Sequence, residues 1–253
     1  MTSFPKRPIA IWQWTRDALL DLVFPPRCAG CKQRGEWLCA ACLALVPPLL
    51  PPRCAHCGKP LNARGTASSL CSGCAAGDLR ALDWARAAYP FDGPLRAAIH
   101  QFKYGKERAR AVHLGLALLP LLDQLPGGGS AALYHLLAVP LSAARRRERG
   151  YNQAEELARV LATRATWPFD TALVRTRATL PQVGLDRAAR QQNVRDAFAW
   201  AGSNLAGQRM LLVDDVLTTG ATANECATVL KAAGAAWVGL VTVARAIEPP
   251  RWK

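Results

Sequence analysis

From residue 84 onward the hydrophobic pattern alternates between two periods. Residues 210–213 form a short apolar run without polar interruption, which predicts a strand covered on both faces. The next segment, residues 223–233, returns apolar side chains at helical spacing (Cys226, Val229, Leu230, Ala233) and meets Gly234 as a stop. The same reading predicts strands at 84–90 (an edge strand), 133–140, 169–176 and 237–244. It predicts helices at 94–103, with proline in the first turn, and at 109–125, closed by Pro126 and three glycines. A further helix opens at Asn152, with Glu155 completing a capping-box pattern and Ala154, Leu157 and Leu161 facing inward. Strands that alternate with helices define an α/β protein whose parallel sheet is flanked by helices.

The first 80 residues follow neither period. Residues 1–24 place Ile11, Trp14, Ala18, Leu19 and Leu22 on one side of a short amphipathic helix. Asp17 and Asp21 interrupt it, so it reads as neither signal peptide nor membrane span, and a cytoplasmic location is expected. Eight of the nine cysteines then fall into four Cys-x-x-Cys pairs: Cys28 and Cys31, Cys39 and Cys42, Cys54 and Cys57, Cys71 and Cys74. Each pair aims two thiolates at one centre, and two pairs complete the Cys₄ tetrahedron of structural zinc, so two zinc ions are expected. Sequential pairing is the simpler arrangement; a cross-braced one is compatible with the same spacing. The prolines at 47, 48, 51 and 52 favour two successive units. His56 has no ligand role to fill. Cys226 stands alone on an apolar helix face and reads as a core residue.

Charge sharpens the picture. The chain has 32 lysines and arginines against 18 acids, a net charge of +14, which favours polyanionic partners such as phosphates or nucleic acid. Two places concentrate chemistry. One is the run Val213, Asp214, Asp215, Val216, Leu217, Thr218, Thr219, Gly220, Ala221, Thr222. Two acids at the end of a buried strand accept hydroxyl hydrogens, and a small hydroxyl-bearing loop before a helix N-terminus cradles a phosphate. The other is the basic loop 142–153, in which Arg149 and Gly150 form a second anion site beside the first. Lys103 adds a cation that can reach a phosphate. The polar, arginine-rich stretch 179–198, with Gln182, Arg190 and Asn193 and a short helix at 187–193, has the composition of a mobile flap.

The run 213–222 resembles the phosphoribosyl-pyrophosphate (PRPP) motif of type I phosphoribosyltransferases. That resemblance implies that Asp214 and Asp215 hold the ribose hydroxyls and carry catalysis, that Thr218, Thr219, Gly220, Ala221 and Thr222 hold the 5′-phosphate with Val216 and Leu217 also in the PRPP-binding run, and that Mg²⁺ arrives with PRPP. The paired cysteines, the segment 99–105, the segment Arg149 to Gln153 and the residues Gln182, Leu185, Arg190, Asn193 and Phe198 narrow it further. Together they are similar to the ComF (competence protein F) family over about residues 25–245. The resemblance implies a double zinc ribbon at 25–80 and a type I phosphoribosyltransferase-like domain at 84–248, after the helix at 1–24. It also implies an association with natural transformation, with single-stranded DNA and a competence helicase or DNA-processing proteins as partners. Two roles follow from it: transfer of phosphoribosyl to an acceptor, or non-catalytic PRPP sensing and DNA binding.

Overall fold

The computed structural model describes residues 25–61, 69–105, 107–128, 133–177 and 187–247. The expected helix at 1–24 and flap residue Gln182 lie outside these, as does the side chain of Arg190. Two short helices, α1 (Ala40–Ala44) and α2 (Ser72–Ala75), belong to the cysteine module. Then follow β1 (Trp84–Pro90), α3 (Gly93–Tyr104), α4 (Arg110–Leu116), α5 (Leu119–Leu122), β2 (Tyr134–Ala138), α6 (Ala143–Arg149), α7 (Gln153–Ala165), β3 (Phe169–Asp170) and β4 (Leu173–Arg175). The chain closes with α8 (Arg187–Val194), β5 (Phe198–Trp200), β6 (Arg209–Leu217), α9 (Ala221–Ala232) and β7 (Trp237–Arg245).

Five strands form one parallel sheet in the order β1-β7-β6-β2-β3. Strands with period 2 sort their side chains onto two faces, and the buried residues divide accordingly. Leu136, Leu211, Val213, Val241 and Val243 join α3, α4 and α7 in one core, while Leu137, Met210, Leu212, Val238 and Leu240 join α9 in the other. Each fully buried leucine contributes roughly 2 kcal/mol.

Four expectations are corrected. The span 109–125 is two helices, because Pro120 cannot continue the first and instead sits in the opening turn of α5. The span 169–176 is two strands in different sheets: the Asp170 carboxylate accepts from the Ala172 amide at 2.7 Å and turns the chain, so β4 leaves to pair antiparallel with β5. The basic loop is mostly helix α6, capped by the Ser142 hydroxyl, which accepts from the Arg145 amide. Strand β6 runs on past both acids to Leu217 instead of ending at them, so Val216 and Leu217 belong to the strand and not to the loop.

The cysteine module is not a separate bead. Cys28, Ala29, Leu38, Cys42 and Val46 pack into the first core, and Cys54, Cys57, Cys71, Leu79 and Leu82 into the second. Two buried arginines fasten the second half. Arg86 donates to the carbonyls of Ala55 (2.9 Å) and His56 (3.2 Å), and Arg245, at the end of β7, donates to the carbonyl of Cys57 (2.7 Å). Buried Arg110 fastens the first half by donating to the Trp37 carbonyl at 2.8 Å, with its guanidinium 4.4 Å from the Trp37 ring centre.

Candidate functional site: an acid pair between a basic corner and a helix N-terminus

Strand β6 sits where the sheet changes direction: its chain proceeds outward to β7, whereas β2, on its other side, proceeds to β3. The loops leaving β2 and β6 therefore diverge and leave a crevice at their carboxyl ends, the place where α/β sheets bind ligands. A cleft of about 560 Å³ opens there. Lys103, Arg149, Asp214, Asp215, Val216, Leu217, Thr218, Gly220, Ala221 and Thr222 all line it. The chain thus brings together most of the residues expected from sequence. Thr219 faces a neighbouring cavity with Gln191 and Gln192, and Gly150 is not among the residues lining the cleft.

Asp215 is buried and Asp214 half-buried at the floor. The Asp214 carboxylate accepts from the Asp215 amide at 2.8 Å, and Lys103 Nζ pairs with Asp215 Oδ1 at 2.8 Å. Burial, and then the charge of Asp215, push the Asp214 carboxyl up to about 7, with Lys103 opposing. At one end of the pair, Gly220 adopts φ 79° and caps α9, a conformation that favours glycine. The first turn of α9 then presents its positive dipole end to the cleft.

At the other end, each residue of the segment 149–153 has an assignable task. Gly150 takes φ 83° and ends α6. Tyr151 donates its hydroxyl hydrogen to the carbonyl of Phe102, tying this corner to the helix that carries Lys103. Asn152 donates to the carbonyl of Val139, just beyond β2, at 3.1 Å and accepts from the Ala154 amide, capping α7. Glu155 does not complete a capping box; it pairs with Arg146 and Arg159 instead. Gln153 accepts from Arg149 Nη1 at 2.9 Å, and the Arg149 guanidinium lies 5.0 Å from the ring centre of Tyr104. Arg149 Nε is buried without a partner, so this cation is oriented but not saturated.

Of the expected flap residues only Asn193 is described with its side chain, and it is not among the residues lining the cleft. Asn193 accepts through its backbone carbonyl from Arg177 at 3.3 Å, and α8 packs on α9. Sequence reasoning missed Arg175, which reaches the cleft from β4; burial pulls its pKa down, with Arg145 close by. Nothing in its local sequence marks it, because only the β4–β5 pairing aims it inward. Arg145 was visible as one of three consecutive arginines, but only the helical turn of α6 selects it as the one facing the cleft.

The metal centres resolve the pairing. Cys28, Cys31, Cys39 and Cys42 converge in one set and Cys54, Cys57, Cys71 and Cys74 in the other, with sulfurs within 4.8 Å of one another. Sulfur separations of 3.6 Å (Cys28–Cys39) and 3.7 Å (Cys31–Cys39, Cys57–Cys71) are far longer than a disulfide. They match the edge, about 3.8 Å, of a tetrahedron with zinc–sulfur bonds of about 2.3 Å. Both Cys₄ sets therefore fit structural zinc. His56 is not idle: Nδ1 lies 3.2 Å from Cys74 Sγ and Nε2 lies 2.7 Å from the carbonyl of Leu82, so it clasps the second centre from outside. Cys226 is fully buried, burial pushes its thiol well up, and it is a core residue as expected.

Fold and site together define a phosphoribosyltransferase-type α/β protein with a double zinc ribbon. The family described as double zinc ribbon domain matches residues 19–75, and that described as phosphoribosyl transferase domain matches residues 131–251. DNA utilization protein YhgH of Escherichia coli (strain K12) is 35% identical over 156 residues, 61% of this chain and 68% of that one. Its namesake from Salmonella typhi is 30% identical over 237 residues, 89% of this chain and 100% of that one. Competence protein F of Haemophilus influenzae is 37% identical over 114 residues, 44% and 50% of the two chains. The chain belongs to this family of YhgH and competence protein F (ComF). Among the described residues no helix is long and apolar enough to cross a membrane.

Proposed function

We propose that the cleft binds PRPP together with Mg²⁺, in a ComF-type role in the use of imported DNA. The carrying observation is that the Asp214 and Asp215 carboxylates share a single cleft with Lys103, Arg145 and Arg149 and with the first turn of α9. The two carboxylates accept from the vicinal hydroxyls of the ribose. Thr218, Gly220, Ala221 and Thr222, at the dipole end of α9, hold the 5′-phosphate. Arg149 and Lys103 hold the pyrophosphate, with Arg145 beside them. Hard carboxylate oxygens suit magnesium shared with substrate phosphates, and the ion would neutralise charge on the pyrophosphate. With no nucleophilic side chain assigned a role in the cleft, the chain's contribution to phosphoribosyl transfer is positioning and charge stabilisation. Lys103 must release Asp215 as the ribose enters, which makes it the residue that exchanges an internal anion for a ligand one.

A second reading has support of its own. The +14 net charge and the relatives named for DNA utilization and competence favour contact with single-stranded DNA, with PRPP bound as a signal and not consumed. Tyr104, half exposed at the cleft mouth, is the aromatic best placed for a base. A cytoplasmic setting suits both readings, since all nine cysteines are free of disulfides.

Calorimetric titration with PRPP and Mg²⁺ tests the proposal. Wild type is expected to bind, and Asp214→Ala with Asp215→Ala to lose affinity by at least tenfold; equal affinity in both proteins would sink the assignment. Pyrophosphate release, screened against bases and nucleic-acid ends, separates transfer from sensing.

A further inference from the structure

The segment that leaves the second zinc centre does not run straight to the sheet. After Cys74, Gly77 turns the chain at φ 87°, and Leu79 takes φ 59°, a left-handed conformation that is uncommon for a branched side chain. Leu79 is buried, and its side chain lies directly against the phosphate loop. A Cβ on Gly220 would sit 2.4 Å from Leu79 Cδ2 and 3.4 Å from Cδ1, so the leucine occupies the space the missing side chain leaves. Two residues on, the Ala81 amide donates to Asn224 Oδ1 at 3.0 Å, and the Asn224 amide donates to the Gly220 carbonyl at 2.8 Å. The same segment is fixed from behind. His56 joins the Leu82 carbonyl to Cys74 Sγ, and Asp83 pairs with Lys231 at 2.7 Å and accepts from the Val238 amide at 2.7 Å.

The Leu82 amide donates to the Leu79 carbonyl at 3.0 Å, so these contacts make a continuous mechanical path from a zinc ligand to the loop: Cys74, His56, Leu82, Leu79, Gly220. A loop that must present backbone amides to a phosphate binds well only if it is held in place before the ligand arrives. Of the three atoms nearest to the absent Cβ of Gly220, two belong to Leu79 and the third is Leu217 Cδ1 at 3.2 Å. We infer that Leu79 is a positioning residue, through which the second zinc ribbon holds the phosphate loop in its binding conformation. The ribbon is then part of the ligand-binding apparatus while touching no ligand. The inference rests on the PRPP reading for its effect on affinity, but not for its effect on the loop itself.

The test uses the full chain with zinc retained. Leu79→Ala is compared with Leu161→Ala, a truncation of equal size in the first core that serves as the control for general loss of packing. Leu79→Met restores bulk at the same place. Hydrogen–deuterium exchange of the peptide covering residues 217–226 is read without ligand, and PRPP–Mg²⁺ affinity by calorimetry. Leu79→Ala is expected to speed exchange in that peptide at least fivefold and weaken affinity about tenfold, with two zinc ions still bound. Leu161→Ala is expected to leave the peptide's exchange unchanged, and Leu79→Met to recover most of both readouts. Unchanged loop exchange in Leu79→Ala, or equal acceleration in Leu161→Ala, overturns the inference. If wild type does not bind PRPP, the functional proposal fails, while the exchange comparison still decides the role of Leu79.

Discussion

Asp214 is a residue that the fold tolerates at a cost, and the cost has a sign and a pH window. Its carboxyl titrates near 7 instead of the ordinary 3.8, because burial and the neighbouring Asp215 disfavour its charge. The folded protein therefore keeps a proton that the unfolded chain releases. Stability attributable to this group falls as pH climbs from about 4 to about 7 and is lowest above that. A displacement of about three pH units corresponds to about 4 kcal/mol. Asp214 opens onto the cleft and feels Lys103, so about half of that, ~2 kcal/mol, is the reasonable expectation. Asp214→Asn removes the charge and keeps an oxygen to accept from the Asp215 amide. The variant should melt higher than wild type by about 4–8 °C at pH 8. The gap should shrink to about half at pH 5.5, where wild-type Asp214 is protonated in the fold. Both proteins are measured by scanning calorimetry with excess zinc, so that metal loss does not enter the comparison. The same variant should lose PRPP affinity. A variant that melts at or below wild type at pH 8, or a gap that does not change with pH, would refute the reasoning.

Ligand affinity in wild type should rise as pH passes upward through about 7, since the ribose hydroxyls need the ionised carboxylate; titrations at pH 6 and 8 check this. Lys103→Met removes the partner of Asp215 and the proposed pyrophosphate contact, and PRPP–Mg²⁺ affinity should fall about tenfold, or ~1.4 kcal/mol. Gly220→Ala adds a Cβ at φ 79° against Leu79 and should cost about 1–3 kcal/mol in stability, read by melting temperature. Elemental analysis should return two zinc ions per chain, and chelation should lower the melting temperature sharply. Single-stranded DNA binding, if it follows the charge, should weaken steeply between 50 and 200 mM salt in a filter-binding assay, roughly as ~0.7 per phosphate contacted on a log scale.

The parts of the site that were legible in the sequence are those that local chemistry dictates. A buried strand followed by two acids and a glycine-threonine loop fixes its own geometry within a dozen residues, and paired cysteines announce their metal by spacing. What was illegible depends on contacts across long separations. Arg175 enters the cleft only because Asp170 turns the chain and β4 pairs with β5. Pro120 was present in the predicted helix, yet the apolar periodicity on both sides of it masked the break. The role of Leu79 has no sequence signal at all, since it arises from a contact with a glycine 141 positions away. His56 was dismissed by counting ligands, which says nothing about groups that support ligands from outside.

The second zinc centre, four thiolates and one divalent ion, carries a formal charge of −2 when filled. Arg86 and Arg245, both buried, stand beside it and bond to its backbone carbonyls. The pair supplies +2, so metal, thiolates and guanidiniums form an electrically neutral unit at the seam between ribbon and sheet. A shortened protein starting at Trp84 would keep both cations but lose the thiolate charge that neutralises them and the carbonyls of Ala55, His56 and Cys57 that accept from them, and would bare apolar surface on both faces of the sheet. The boundary that looks obvious in the cysteine spacing is therefore a poor place to cut. The smallest piece of this chain expected to stay folded includes its metals.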